Sequence, residues 1–292
     1  MLSFIDTIVQ GILLGGLYAL FALGQSLLFG VMRLTNTAHG DFIILAAFAA
    51  SSLAMAIGLP AAAAPWAALL LLLPLSFGAG YALQRFVLNG TLGRDPLPSL
   101  VVTFGLAIVI QNALQQIFTA DPRSIESGGL NTASLSLSAG LSVGVLPLLI
   151  FGVAIVLTCG LQLLFDRTDL GRAFRAVSDD REAAEMMGID HRHVYALATG
   201  IAFLLVAVAG TLHGMKTTVS ASDGPALLLY AFEAVIIGGM GSFYGTLAGG
   251  LILGVTQDVG FRIDPGWGIW SGHVAFLAML LLRPSGLFPR TR

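Results

Sequence analysis

The chain has 292 residues, 56% of them hydrophobic and only 10% charged, where an ordinary soluble domain carries roughly a quarter charged residues. Sixteen acids nearly cancel fourteen bases and there is no basic stripe, so the composition excludes a water-soluble globular enzyme and gives no reason to expect nucleic acid as a partner. Uncharged stretches repeatedly longer than about 18 residues instead identify a polytopic membrane protein.

From the N-terminus, the only charged side chain before Arg33 is Asp6. No basic signal-peptide region precedes the first apolar run, which is therefore expected to stay as a span. Uncharged windows run Ile8–Val31, Phe42–Gln84, Pro96–Ala120, Val143–Phe165, Val194–Met215, a stretch Ala226–Gln257 interrupted only by Glu233, and Pro265–Leu282. Phe42–Gln84 is about twice the roughly 20 residues one span requires, and Gly58-Leu59-Pro60 breaks it into two helices. Residues 224–257 would make a helix of about 51 Å against a hydrocarbon core of about 30 Å, so the Gly238-Gly239-Met240-Gly241 run is predicted to split it. The expected fold is all-α, a polytopic transmembrane helical bundle of about eight to nine spans with short or broken helices, organised as one domain over 1–292.

Sidedness follows from the cations, because short cytoplasmic loops retain Lys and Arg. With 166–193 placed inside, Arg33, Arg85, Arg94, Arg167, Arg172, Arg175, Arg181, Arg192, Arg283, Arg290 and Arg292 are cytoplasmic, against Arg123, Lys216 and Arg262 outside. That alternation gives nine crossings with the N-terminus outside and the C-terminus inside; re-entrant segments near Asn36 or Gly239 would change the number. The external loop 121–142 is too short for a receptor domain, and Trp267 and Trp270 fall at the outer interface favoured by indoles. The lone Cys159 excludes an internal disulfide and reads as a small buried hydrophobe.

Two places are candidates for a solute pathway, because polar groups within hydrocarbon should face protein or a cavity. At Asn36–Asp41, Asn36, His39 and Asp41 interrupt the helical pattern, and Gly40 permits close backbone approach; a plain cytoplasmic turn beside Arg33 is the competing reading. From Glu233 to Gly245 the broken stretch leaves two short helices. The ends exposed at Gly238, Gly239 and Gly241 offer N–H groups to a carboxylate and carbonyls to an ammonium. Glu233 is a candidate for binding an amine, or for pairing with a polar group of another span. Gly241, Gly245 and Gly249 share a helical face, as do Gly250 and Gly254, and with Gly11 and Gly15 they form a close-packing signature.

The segment 166–193 holds five arginines and seven acids and is the longest charged stretch. Asp179 is predicted to cap a short helix whose third position is Glu182, with Gly188 as its left-handed terminator. Such a helix is marginal alone, and Ala183, Ala184, Met186 and Met187 invite a partner surface; a merely solvated connection is the alternative. The sole lysine is Lys216 and no phosphate-binding loop occurs, so this chain is not an ATPase. Zinc and nucleophile-elbow motifs are missing from the sequence as well. His191 and His193 lie on different faces if helical, and no role attaches to them.

The run Arg175-Ala176-Val177, then Glu182-Ala183-Ala184 and Gly188-Ile189, resembles the EAA-type loop of ABC importer permeases. Its form is that of LivH-type branched-chain amino-acid permeases, and it departs from the general pattern in lacking the later Leu-Pro. Gly16-Leu17-Tyr18-Ala19-Leu20, Asn36-Thr37-Ala38-His39-Gly40-Asp41-Phe42, Gly238-Gly239-Met240-Gly241-Ser242-Phe243 with Gly245–Gly250, and Arg283-Pro284-Ser285-Gly286-Leu287-Phe288 are similar to further segments of that family, in the same order over essentially the whole chain.

The resemblance implies the permease subunit of an ATP-driven importer of branched-chain or related amino acids in a bacterial or archaeal cytoplasmic (inner) membrane. It makes 166–193 the coupling loop, with Arg175, Asp179, Asp180, Arg181, Glu182, Ala183, Ala184 and Gly188 as coupling residues. No cofactor belongs to this chain; ATP and Mg sit on two cytoplasmic ATPase subunits. A second permease, LivM-type or another copy, and a periplasmic substrate-binding protein complete the expected assembly. Permeases for urea or short amides are the nearest alternative. A secondary transporter or channel, needing no ATPase, is the alternative from another class, and an intramembrane enzyme is a distant third.

Overall fold

A computed structural model describes residues 2–92, 97–138 and 141–288; Arg94, Arg290 and Arg292, assigned above to the cytoplasm, lie outside the described residues. The described chain forms eleven α-helices: α1 (Leu2–Met32), α2 (His39–Ile57), α3 (Ala64–Ala82), α4 (Leu97–Phe118), α5 (Val145–Arg167), α6 (Asp169–Asp179), α7 (Arg181–Met186), α8 (His191–Lys216), α9 (Gly224–Gly238), α10 (Phe243–Ile263) and α11 (Gly268–Leu282). Gly58, at φ 67°, ends α2 in the left-handed region and Pro65 opens α3, so the predicted split of the long apolar window falls at Gly58-Leu59-Pro60. The 121–142 loop, predicted to be external, folds partly into a small antiparallel hairpin, β1 (Ser134–Ser138) with β2 (Leu141–Gly144).

Among the described residues seven helical segments are singly long and apolar enough to cross a membrane, and α9 with α10 forms a further pair bent by 117°. The expected break in 224–257 therefore exists, as a turn-back that lays α9 against α10. α1 and α8 are the most enclosed segments, while α3, α4, α5 and α11 leave much of their apolar surface outward.

Lipid tails are as apolar as leucine, so packing between spans rests on close van der Waals approach through small residues. The α1–α10 seam is built this way. A Cβ on Gly15 would lie 2.6 Å from the Leu251 Cα, one on Gly11 2.7 Å from the Val255 Cα, and one on Gly250 2.8 Å from the Gly15 carbonyl oxygen. The Gly11/Gly15 and Gly250/Gly254 faces read from the sequence thus meet each other, whereas Gly245 and Gly249 face α9 and Gly241, at φ 81°, lies in the turn before α10 and not on its face.

Cross-links gather the loops at two ends. Arg123 bridges to Val219, and Arg262 Nη1 donates to Thr7 Oγ1 at 2.9 Å, so the predicted outside cations share one end. At the other, Ser178 Oγ donates to the Gly30 carbonyl at 2.8 Å, Arg85 pairs with Asp190 at 3.3 Å, and the tail after α11 meets the 239–242 turn.

Candidate functional site

Beyond Arg33, which sits at φ 54°, the chain turns back into the bundle without helix. His39, the first residue of α2, donates through Nε2–H to the Phe21 carbonyl at 2.8 Å. Phe21 lies eleven residues before the end of α1, so α2 begins about 16 Å inside that end at 1.5 Å per residue. Only Asn36–Ala38 is consequently irregular, and it is held in protein rather than forming an exposed turn; His39, Gly40 and Asp41 do not interrupt the helical pattern but form the first turn of α2. Asn36, His39 and Asp41 are all buried.

Asn36 Oδ1 accepts from the Ala38 amide at 3.0 Å, and the Thr37 and Thr103 hydroxyls meet at 2.8 Å. Asp41 Oδ1 accepts from Gln111 Nε2 of α4 at 2.9 Å. Gly40 fits against α9: a Cβ there would come 2.7 Å from the Leu228 amide nitrogen and collide with the Gly224 carbonyl oxygen. The N-termini of α2 and α9, both positive dipole ends, therefore converge inside the bundle beside the Asp41 carboxylate. Gln25 follows Phe21 by one turn on the same face of α1 and finds no hydrogen-bond partner for either amide atom among the described residues; Asn36 Nδ2 is likewise unpartnered. Gln25, Thr103 and Gln111 were not singled out in the sequence, although each is a polar residue within an apolar window and thus carried the relevant signal.

Glu233, 2% exposed, lies on α9 among a second polar group. His273 of α11 donates to its Oε1 at 2.5 Å, while Oε2 has no partner among the described residues. Tyr18 stacks on Tyr230 at 4.7 Å and donates to Gln257 Oε1 at 2.5 Å, so α1, α9, α10 and α11 meet here. Of the two sequence readings of Glu233, the geometry displays the interhelical pairing.

The α9–α10 turn differs from the open break pictured above. Gly239 has φ 105° and Gly241 φ 81°, conformations that suit glycine. Gly238 packs against Gly245 so closely that a Cβ on either would collide with the other's backbone. The last carbonyls of α9 are occupied: Leu287 N–H donates to Ile237 O at 2.9 Å and Phe288 N–H to Gly238 O at 3.0 Å. Ser242 Oγ caps α10 by accepting from the Gly245 amide at 3.1 Å. The chain's own tail thus fills the α9 end at Gly238 and Gly239, while Ser242 caps the α10 end that follows Gly241.

In the charged segment the structure forms the expected short helix as α7 and sets before it a second helix, α6, that the sequence did not reveal. Thr168 caps α6, whose Phe174 and Val177 are buried, and Arg175 donates to the Phe165 carbonyl. Asp179 is the last residue of α6, so it is not the cap. Asp180 is the cap: extended at φ −148°, it accepts through Oδ1 from the amides of Glu182 at 2.9 Å and Ala183 at 3.0 Å. Glu182 therefore sits at the second helical position, not the third, and the capping-box arrangement is replaced by a simple aspartate cap. Gly188, at φ 84°, ends α7 as expected. Its amide donates to Glu185 O at 2.9 Å and that of Ile189 to Ala184 O at 3.0 Å, which is the Schellman pattern.

Arg181 lies 3.9 Å from Glu185, which also pairs with His191. Ala184 is buried toward the bundle and Ala183 partly so, whereas Met186 and Met187 are each 82% exposed. Asp190 caps α8 through the Arg192 amide at 2.9 Å. Partial burial raises its carboxyl, but the Arg192 and His193 amides and the Arg85 guanidinium outweigh that and hold it below the usual carboxylate range. Beside α7, Glu185, Gly188, Ile189, Asp190, His191 and Arg192 line an open cavity of about 410 Å³.

Comparison with known proteins agrees with this architecture. A family model described as the permease component of branched-chain amino acid transport systems matches residues 7–282. The high-affinity branched-chain amino acid transport system permease protein BraD of Pseudomonas aeruginosa is 30% identical, over 98% of this chain and 96% of its own. The corresponding protein LivH of Salmonella typhimurium is 25% identical over 99% of this chain and 96% of its own. A probable branched-chain amino acid transport permease protein LivH of Methanocaldococcus jannaschii is 26% identical over 96% and 91%.

Proposed function

The chain belongs to the family of branched-chain amino acid transport permease components, and on that premise we propose how its geometry serves transport. It is the multi-pass membrane permease subunit of an ABC importer and not an enzyme; it works with ATPase and permease partner subunits. Our reading of its solute is a branched-chain or related amino acid, delivered by a periplasmic substrate-binding protein. The second permease is LivM-type or another copy, and the C-terminus is cytoplasmic. ATP and Mg are held by two ATPase subunits. The family membership weighs against the ATPase-independent transporter or channel.

The observation that carries the coupling reading is α7: a helix capped at both ends, with Met186 and Met187 outward and left uncovered by the described residues. An unbranched, adaptable methionine pair suits a groove on another protein. Arg175 ties α6 to the end of α5, so a push on α7 is received by a braced element. Asp180, Arg181, Glu182, Ala183, Ala184 and Gly188 shape the docking helix, and Asp179 closes the helix before it.

For the solute, we place the pathway at Asn36, His39 and Gly40, where two helix N-termini converge in the membrane interior and the Gln25 amide and Asn36 Nδ2 have no partner among the described residues. Irregular backbone at this depth is tolerated only where protein or a cavity receives it. Glu233 lies on α9, one of those two helices, and Gly238, Gly239 and Gly241 enter as the turn that joins α9 and α10 into one moving hairpin. Met187→Cys in a Cys159→Ser background, cross-linked in membranes containing the ATPase subunits, should join this chain to one of them through a single thiol. Wild-type chain that retains no ATPase through purification would overturn the coupling reading.

A further inference from the structure

Three aromatic rings from three elements stand in series at the end of the bundle that carries the charged segment. Phe174 of α6 lies 5.4 Å from Phe165 of α5, ring centre to ring centre, and Phe165 lies 4.9 Å edge-on from Phe243, the first residue of α10. All three are buried. Around them the backbone leaves little slack. A Cβ on Gly171 would collide with the Leu164 and Phe165 carbonyls, and Arg175 donates to that same Phe165 carbonyl. Ser178 fastens α6 to the end of α1.

On the far side of the rings, α10 cannot move without α9. Gly245 packs on Gly238, and a Cβ on Gly249 would sit 2.8 Å from the Gly238 amide nitrogen. The hairpin is closed at its turn by the Leu287 and Phe288 amides, and its α9 arm reaches Gly40 and Asp41 at the interior start of α2. A displacement entering at α6 thus meets a stiff body whose other end lies at the convergence of helix N-termini.

We propose that Phe165 and Phe243 form the joint that converts movement of the 166–193 segment into movement of the α9–α10 hairpin. Phe165 is a positioning residue: it touches neither solute nor nucleotide, and acts by keeping Phe174 and Phe243 in register. Interiors pack densely enough to transmit strain from one element to the next. The proposal rests on the coupling reading above, and its test separates the two.

Phe165→Ala, Phe243→Ala and the double variant would be reconstituted with the ATPase subunits and the binding protein, beside Phe165→Leu and Phe243→Leu, which keep most of the bulk. ATPase retention and ATP hydrolysis are expected to persist in the alanine variants, while solute moved per ATP falls roughly fivefold or more. The double variant should be no worse than either single one, since one joint is broken once, and the leucine variants should recover most of the ratio. If the alanine variants fail to assemble, the leucine pair alone decides by the ratio of uptake to hydrolysis, expected to drop partially. Uptake and hydrolysis falling in proportion, an additive double variant, or an unchanged ratio in any assembled variant would each overturn the joint. Wild-type chain that retains no ATPase would overturn the coupling reading and the joint with it.

Discussion

Replacing Asp180 by alanine separates the observed cap of α7 from its neighbour. Asp180 Oδ1 receives two amides of the first turn; losing such a cap costs about 1 kcal/mol, and losing a negative charge at a helix N-terminus adds about 0.5 kcal/mol. The sum is roughly one decade in an equilibrium constant. α7 has six residues, and helices this short are marginal when left alone. If it is about half formed before docking, the variant is under a tenth formed, and its apparent affinity for the ATPase falls roughly fivefold. The assay is a titration of detergent-solubilised chain with purified ATPase subunit, run beside Asp179→Ala. The latter residue ends α6 and caps nothing in α7, so its affinity should stay within about twofold of wild type. Equal losses in both variants, or a loss confined to Asp179→Ala, would refute the assignment of the cap and the docking role built on it.

Gly15→Val would place atoms where a Cβ alone already lies 2.6 Å from the Leu251 Cα; overpacking of this kind costs about 1–3 kcal/mol or more, read as a lower melting temperature in detergent, whereas an unchanged transition would show that the α1–α10 seam yields. His273→Ala leaves the Glu233 carboxylate buried without its one hydrogen-bond donor, and stranding a buried charge costs about 3–5 kcal/mol. Glu233→Leu combined with His273→Ala should destabilise less than His273→Ala alone, and the reverse order of thermal stabilities would contradict the pairing. Asp190 is held below the ordinary carboxylate range in the folded chain, so its contribution is complete above the unfolded value of about 3.9 and is lost as pH falls through the lower folded value. Asp190→Asn keeps a competent cap and should remove that part of the acid-side loss; an unaltered pH profile would show that the carboxylate contributes nothing there.

The spans were legible because twenty uncharged residues can do little else than cross or be buried, and the helix breaks at Gly58-Leu59-Pro60 and Gly238–Gly241 because glycine freely adopts the left-handed backbone that ends a helix and proline cannot continue one. The glycine faces of α1 and α10 were visible from spacing alone, though not which helix each would meet. The cap was misplaced by one residue because Asp179 and Asp180 are chemically equivalent in sequence; tertiary anchoring of Phe174 and Val177 extends α6 through Asp179 and leaves Asp180 to start the next helix. Pairings such as Tyr18 with Gln257 or Glu233 with His273 join residues far apart in the chain, and no local pattern encodes them. Nor does local pattern reveal that the start of α2 lies inside the bundle or that the tail after α11 closes the 239–242 turn, since both depend on how α1 and the hairpin are already packed.

Transport by reconstituted vesicles tests the central claim most directly. With the ATPase subunits, the second permease and the binding protein present, uptake of labelled leucine should require ATP and cease when hydrolysis is blocked. Accumulation against a gradient by this chain without ATPase or nucleotide would contradict the account.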